Sequence, residues 1–258
     1  MTDWNAGLYH QISSPQQSWG RRVLERLPLV GTERVLDIGC GTGRLTAEIA
    51  ERLPAGRVVG VDRSVAMLET AGTWLRERSP GTTLVLADAA ALPFRRVFDA
   101  AFSGATFHWI HDHAALFRSI VMALRPGGRL VAQCGGGANL AMLYGRAERL
   151  MREPRFARYF EEWSDPTYFA DVESTRRRLA AVGFVDIEVS LEAAPTRFDA
   201  PDQFRDFIEH VCLRHHGARL PNAERQSFLR DLTVAAAGDP LPFTLDYWRL
   251  NIAAKRPA

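Results

Sequence analysis

The stretch Val35-Leu-Asp-Ile-Gly-Cys-Gly-Thr-Gly-Arg-Leu-Thr-Ala-Glu-Ile-Ala50 constrains this chain more than any other. An apolar run broken by one acid leads into glycines at 39, 41 and 43, after which apolar residues return at helical spacing, with Leu45, Ile49 and Leu53 on one face. Glycines at such a turn remove the Cβ atoms that would hold a ligand away from the main chain. The free N–H groups that open the helix then face whatever binds. Residues 34–39 therefore predict a buried strand, 42–53 a helix and 57–62 a second strand, which is one βαβ unit.

The rhythm continues. Ser64 predicts an N-cap for a helix ending near residues 79–81, and residues 82–87 and 98–103 read as further strands. Residues 112–124 predict a helix, 125–128 a turn and 129–134 a fifth strand. Alternating strands and helices imply a doubly wound α/β fold, its largely parallel sheet covered on both faces. With 258 residues, 47% of them hydrophobic, one domain spanning 1–258 has enough apolar material for its core. The ligand-binding core around the glycine loop is placed at 31–137. Residues 138–172 and 197–240 predict helical insertions packed over the sheet as a lid, and residues 173–181, 185–191 and 243–253 restore a helix and two last strands.

Several function classes fall away on composition. A net charge of +2 with scattered basic residues leaves no concentrated footprint for nucleic acid. The only lysine is Lys255, so neither a Schiff-base lysine nor a phosphate-cradling P-loop lysine is available in the core. Cys40, Cys134 and Cys212 form no CxxC pair, and the chain shows neither a signal-peptide pattern nor a long apolar run; a cytoplasmic protein without a membrane span is expected. The cluster His108, His111, Asp112 and His113 lacks the spacing of a metal site, because Asp112 suits a helix cap, so no metal is expected. A serine hydrolase would need a GxSxG elbow, which is absent.

The acids at the strand ends define the ligand. Asp37 precedes the glycine loop and would repel a phosphate but welcome a cationic amino acid. Asp62, nineteen residues past Gly43, is placed to accept hydrogen bonds from ribose hydroxyls, and Asp88 with Ala89 faces an exocyclic amine. A ligand with a cationic amino-acid end and an unphosphorylated nucleoside fits that set, and S-adenosylmethionine is such a ligand. A nicotinamide dinucleotide fits worse: GxGxxG would need glycine where Arg44 stands, and Asn251 occupies the place of the tyrosine four before the lysine.

With "LDIGCGTG", "GVDRSVAML", "ADAAALPF", "FDAAFSGATFHWIHD" and "LRPGGRLV" in this order, the chain resembles the class I S-adenosylmethionine-dependent methyltransferases over about residues 35–134. "DWNAGLYHQIS" and "FHWIHDH" look more particularly like the trans-aconitate methyltransferase group. The resemblance implies a Rossmann-like seven-stranded sheet with its last strand antiparallel, and S-adenosylhomocysteine as product. It implies Gly39 and Gly41 beside the methionine moiety, Asp62 on the ribose, Arg63 and Met67 around the adenine, Asp88 and Ala89 at its edge, and Ser103 beside the sulfonium. Tyr9 and Gln11 would belong to an N-terminal flap, residues 1–30, over the donor.

Methyl transfer chiefly requires alignment of a small-molecule acceptor and exclusion of water. A carboxylate acceptor needs no base and would be read by arginines or hydroxyls, with Arg146, Arg149 and Arg214 as candidates. A phenol or amine would call for one, and His108, after the fourth strand, is the first choice. Trp109 and Tyr168 are placed with His108 on the acceptor side. His215 and His216 read as a partly exposed pair, and a protein that binds the donor without transferring its methyl would carry the same loop.

Overall fold

A computed structural model of the chain describes Gly7 and residues 14–258, with side-chain surroundings from Trp19 onward. In chain order the helices are α1 (Ser14–Glu25), α2 (Arg44–Glu51), α3 (Val65–Arg78), α4 (His113–Ala123), α5 (Ala141–Met151), α6 (Pro154–Ala157), α7 (Val172–Ala181), α8 (Pro201–Phe207), α9 (Arg214–Gly217) and α10 (Asn222–Ala237). The strands are β1 (Arg34–Ile38), β2 (Arg57–Asp62), β3 (Thr83–Leu86), β4 (Phe98–Gly104), β5 (Leu124–Gly135), β6 (Val185–Ala193), β7 (Thr196–Arg197), β8 (Thr244–Leu245) and β9 (Trp248–Lys255).

Seven strands form the main sheet in the order β3-β2-β1-β4-β5-β9-β6. Strands β1 to β5 pair in parallel, whereas β9 runs antiparallel to both β5 and β6. This is the fold that the strand-helix alternation and the resemblance imply. Both faces are covered by apolar side chains. On one, Phe98, Phe107, Leu116, Phe117 and Ile120 pack with Leu179 and Phe184; on the other, Val23, Leu24 and Leu27 of the N-terminal segment meet Ile49, Leu53 and Phe102. Burying each large side chain of this kind is worth about 1.5–3 kcal/mol.

Local chemistry fixes several boundaries. Ser64 caps α3 by accepting from Met67 N–H, and Asp112 caps α4 by accepting from Ala115 N–H at 2.9 Å. Residues 125–128 are expected to be only a turn, but β5 begins at Leu124, which pairs with Phe98 before a register shift. Gly127 there takes φ +75°, and Arg256 N–H donates to Gly128 C=O, so the turn is absorbed into the sheet edge by the chain's last residues.

The expected single strand over 243–253 divides at Asp246 and Tyr247. β8 pairs with β7 outside the main sheet, and Tyr247 turns into a second apolar cluster. That cluster gathers Leu140, Leu143, Phe156 and Phe160 with Phe204, Phe207, Phe228 and Leu232, so the two helical segments pack on one another. The long helical expectation over 197–240 is likewise broken, by a π turn over Ile208–Cys212 and by Pro221.

Glu33 anchors the entry to β1. Its carboxylate accepts from the N–H groups of Val30, Gly31 and Thr32 at 2.8–3.1 Å and pairs with Arg129 of β5 at 3.2 Å. Burial alone would raise its pKa; the main-chain donors and Arg129 outweigh that and hold it below the ordinary carboxylate value. A depressed folded pKa contributes stability that is complete above the unfolded value of about 4.3 and is lost as pH falls through the folded one. Glu33→Gln is therefore expected to cost about 1–3 kcal/mol at neutral pH and to flatten the acid limb of stability in urea melts across pH; unchanged acid sensitivity would remove this role.

Candidate active site

Every strand end named by the sequence comes to one edge of the sheet. There a cleft of about 800 Å³ is lined by Gly39, Gly41, Asp62, Arg63, Met67, Asp88, Ala89, Thr106, Trp109 and His215, among others. Seven of the residues expected around the donor, Gly39, Gly41, Asp62, Arg63, Met67, Asp88 and Ala89, thus line a single cleft.

Asp62 is held from two sides. Its Oδ2 accepts from Gly41 N–H and its Oδ1 from Ser64 N–H, both at 2.9 Å, which fixes the carboxylate at the rim while leaving lone pairs for a ligand. Burial raises its pKa despite these bonds. Gly41 takes φ +53°, and a Cβ there would meet nothing within 4 Å, so its main chain opens directly onto the cleft. Asp88 follows β3, its Oδ1 accepting from Ala90 N–H at 2.8 Å. An open glycine backbone, a pinned carboxylate at the end of β2 and a second carboxylate one strand further fit the cationic nucleoside inferred from the sequence.

Three expected donor residues sit behind the wall instead. Asp37 is buried, accepts from the Thr46 hydroxyl at 2.6 Å, and is pushed up to about 7 by burial, against the Thr46 bond and with the charge of Asp62 adding to the rise. It sits beneath the loop rather than in the lining. Gly43, at φ +80°, faces Leu75 and Ala71 at 3.0–3.1 Å from where a Cβ would stand, so its bareness serves the approach of α3 to α2. Ser103 is wholly buried and donates its hydroxyl to Ile38 C=O at 2.8 Å; Gly104, Ala105 and Thr106 line the cleft in its place. Tyr9 and Gln11 lie outside the described residues.

A second cavity, of about 460 Å³, opens beside the first and shares Ala105 and Trp109 with it. His108, Asn139, Tyr144, Phe169, Cys212, Tyr247 and Arg249 contribute to its wall. Ala105 at the junction takes the left-handed φ of +57°, a conformation that costs a residue bearing a Cβ and is held by its N–H donating to Gln133 C=O at 2.7 Å.

His108 Nδ1 accepts from Gly135 N–H at 3.3 Å, which leaves the ring proton on Nε2. Burial, with Arg249 and His113 nearby, pushes its pKa down to about 3. The imidazole is therefore neutral and built to donate, which weighs against the expected base role. Tyr168 is not in either wall: its N–H donates to His108 C=O and its hydroxyl accepts from Arg178, so it braces His108 while the neighbouring Phe169 lines the cavity.

The arginine candidates separate clearly. Arg146 is engaged by Asp239, Arg149 is exposed, and Arg214 lines the donor cleft rather than the second cavity. His215 is partly exposed in the donor cleft, as expected, whereas His216 is buried against Trp163. Burial, with Arg214 and His216 beside it, pushes His215 down to about 4.

The imidazoles of the 108–113 cluster diverge: His113 Nε2 bonds Phe107 C=O, His111 stacks on Tyr168 and Asp112 caps α4. Among the described residues no group of three His, Cys, Asp or Glu side chains is placed to hold a metal, and no helix is long and apolar enough to cross a membrane. Arg249 was missed from sequence, although its place beside Leu250, Asn251 and Ile252 in a strand covered on both faces is a readable sign of a buried cation.

The chain is similar to known proteins in sequence and in fold. The methyltransferase-domain family matches residues 35–128. A trans-aconitate 2-methyltransferase of Methylobacterium radiotolerans is 39% identical over 133 residues, 52% of this chain and 50% of that one. Another, of Paracidovorax citrulli, is 30% identical over 240 residues, 89% of this chain and 87% of that one. The first match thus spans about half the length of the curated relative and the second most of it. Among solved structures, phosphoethanolamine N-methyltransferase 2 of Haemonchus contortus, in complex with S-adenosyl-L-methionine, superposes with a TM-score of 0.61 at 24% identity, over 93% of this chain and 53% of that one. The glycine-loop cleft, the strand order and a relative matched along nearly its whole length place this chain in the class I S-adenosylmethionine-dependent methyltransferases.

Proposed function

We propose that the protein transfers a methyl group to a carboxylate oxygen of a small organic acid, as the names of its trans-aconitate 2-methyltransferase relatives suggest. The observation that carries this reading is the second cavity joined to the donor cleft at Ala105 and Trp109, whose only charged lining residue among those described is the cation Arg249. An anionic acceptor suits that charge.

When bound, the donor supplies a methyl on a sulfonium: a carboxylate lone pair forms the new O–CH3 bond, the S–CH3 electron pair returns to sulfur, and no proton is released. The chain's own work is to hold and to exclude. Asp62 meets the ribose, Asp88 and Ala89 the adenine edge, Arg63 and Met67 its faces, and the bare backbone of Gly39 and Gly41 the amino-acid end. Asp37, under the loop and pushed up to about 7, favours the cationic donor without contact only in its ionised form. Trp109 at the junction keeps water from the transfer path, and His108 donates from Nε2 to orient the acceptor.

Asp62→Ala is expected to weaken donor binding roughly 10- to 100-fold in calorimetry, the loss of a charged hydrogen-bond acceptor, and Gly41→Val to abolish it; unchanged affinity in either would refute the assignment. Labelled donor offered to panels of carboxylic acids, phenols and amines should yield methyl esters from the acids alone.

A carboxylate acceptor also needs no group that titrates near neutrality. His108 is pushed down to about 3 and Cys212 up to about 12 by burial, and the titration of Asp37 near 7 falls on donor binding, so the rate at saturating donor and acceptor should change by less than about twofold between about pH 6 and 9. A rate limb near the ordinary histidine value would return the base role to His108.

A further inference from the structure

The glycine loop stands on a carboxylate that its own main chain does not compensate. Gly39 and Cys40 N–H donate to Val61 C=O at 2.7 and 3.0 Å, Gly41 N–H to Asp62 and Gly43 N–H to Cys40 C=O, so each of these donors is turned away from Asp37. Asp37 is 2% exposed, and the hydrogen bond it accepts among the described residues comes from the Thr46 hydroxyl at 2.6 Å. Glu33, by contrast, is met by the N–H groups of Val30, Gly31 and Thr32 and by Arg129, and Asp62 by those of Gly41 and Ser64. A buried carboxylate with a single neutral donor keeps its charge at high cost unless a cation faces it.

Among the described residues no cation is paired with it. The end of β2 brings the like charge of Asp62, and the loop brings the Cys40 thiol, which burial keeps protonated. Helix α2 carries Arg44 and Glu48 but meets Asp37 through neutral Thr46, while Arg21 of α1 is paired with Glu48 at 2.9 Å. Strand β4 places Phe102 beside it, the Ser103 hydroxyl donates to Ile38 C=O, and Arg63 acts on Asp62. Burial, the largest influence, pushes Asp37 up to about 7 against the Thr46 bond, with Asp62 adding to the rise.

The donor supplies the missing charge. S-adenosylmethionine carries one more positive charge than S-adenosylhomocysteine, whose sulfur is a neutral thioether. We infer that Asp37 exchanges a proton with solvent in each cycle, giving it up when the cationic donor binds and regaining it once the sulfur is a thioether, and thereby distinguishes donor from product by charge. This rests on the reading above that the donor's amino-acid end lies over Gly39 and Gly41. Donor affinity, far more than product affinity, then falls as pH drops through the resting pKa, because a proton must be expelled for the donor to be held. Asp62 meets the ribose of both ligands, so any proton it moves is common to the two.

Calorimetry without acceptor tests this. S-adenosylmethionine and S-adenosylhomocysteine are titrated separately into the full chain at about pH 6.5 in buffers of unlike ionisation enthalpy, which counts the protons released. Wild type is expected to release roughly half a proton or more per donor bound and markedly less per product bound. Asp37→Asn, which keeps an acceptor for Thr46 and cannot ionise, should lose that difference. Between about pH 6 and 8 the donor affinity of wild type relative to Asp37→Asn should rise roughly tenfold, the donor's own amine cancelling in the comparison. Product affinity in the variant should stay within about twofold of wild type. Thr46→Val, which removes a bond favouring the ionised form, should shift the rise to higher pH with Asp37 in place, and it carries the test if Asp37→Asn does not melt cooperatively. Equal proton release with the two ligands overturns the inference, as does an Asp37→Asn that binds both like wild type or loses both alike, or an unmoved rise in Thr46→Val. Tight binding of both ligands by wild type without proton release sinks this inference alone, whereas binding of neither sinks the donor site with it.

Discussion

The bond from Gly41 N–H to Asp62 Oδ2 ties the glycine loop after β1 to the end of β2, and with the Ser64 bond it holds a carboxylate in place before any ligand arrives. Free rotation of that side chain would otherwise have to be lost on binding. The same link explains why the loop needs glycine at 41: the backbone must turn with a positive φ, present its N–H to Asp62 and still leave the space above it open. Parallel pairing of β1 with β2 then sets the spacing between the loop and the acid.

Much of the donor half was legible because its signals are local. A strand ending at Gly39, a helix beginning after Gly43 and a cap at Ser64 each depend on neighbours a few residues away, and the parallel sheet orders their ends without further information. The glycines were harder to apportion. Gly41 faces the cleft and Gly43 faces helix α3, a distinction made by contacts with Leu75 and Ala71 that the spacing GxGxG does not encode. Asp37 and Ser103 likewise face inward, to Thr46 and to Ile38, because the strand that carries each turns its side chain away from the edge.

The acceptor half was less legible because its residues meet only through tertiary packing. Tyr144, Cys212 and Tyr247 come from three distant segments and converge through bonds such as Tyr144 hydroxyl to Cys212 C=O at 3.2 Å. Arg146 looked available in sequence and is engaged by Asp239, ninety-three residues away. The break in the last strand at Tyr247 was invisible for the same reason: its alternating pattern suits a continuous strand, and the apolar cluster of the helical segments pulls that residue out of register.

The reversed direction of β9 divides labour along the sheet's rim. Most residues of the larger cleft follow β1 to β4, whereas the neighbouring cavity adds to the loop after β4 residues from the start of β9 and from the helical segments, whose apolar side chains mostly pack among themselves. Exchange of those helical segments would reshape the neighbouring cavity while leaving most of the larger cleft's lining in place. A lineage built on this plan has a ready route to new chemistry without rebuilding its engine.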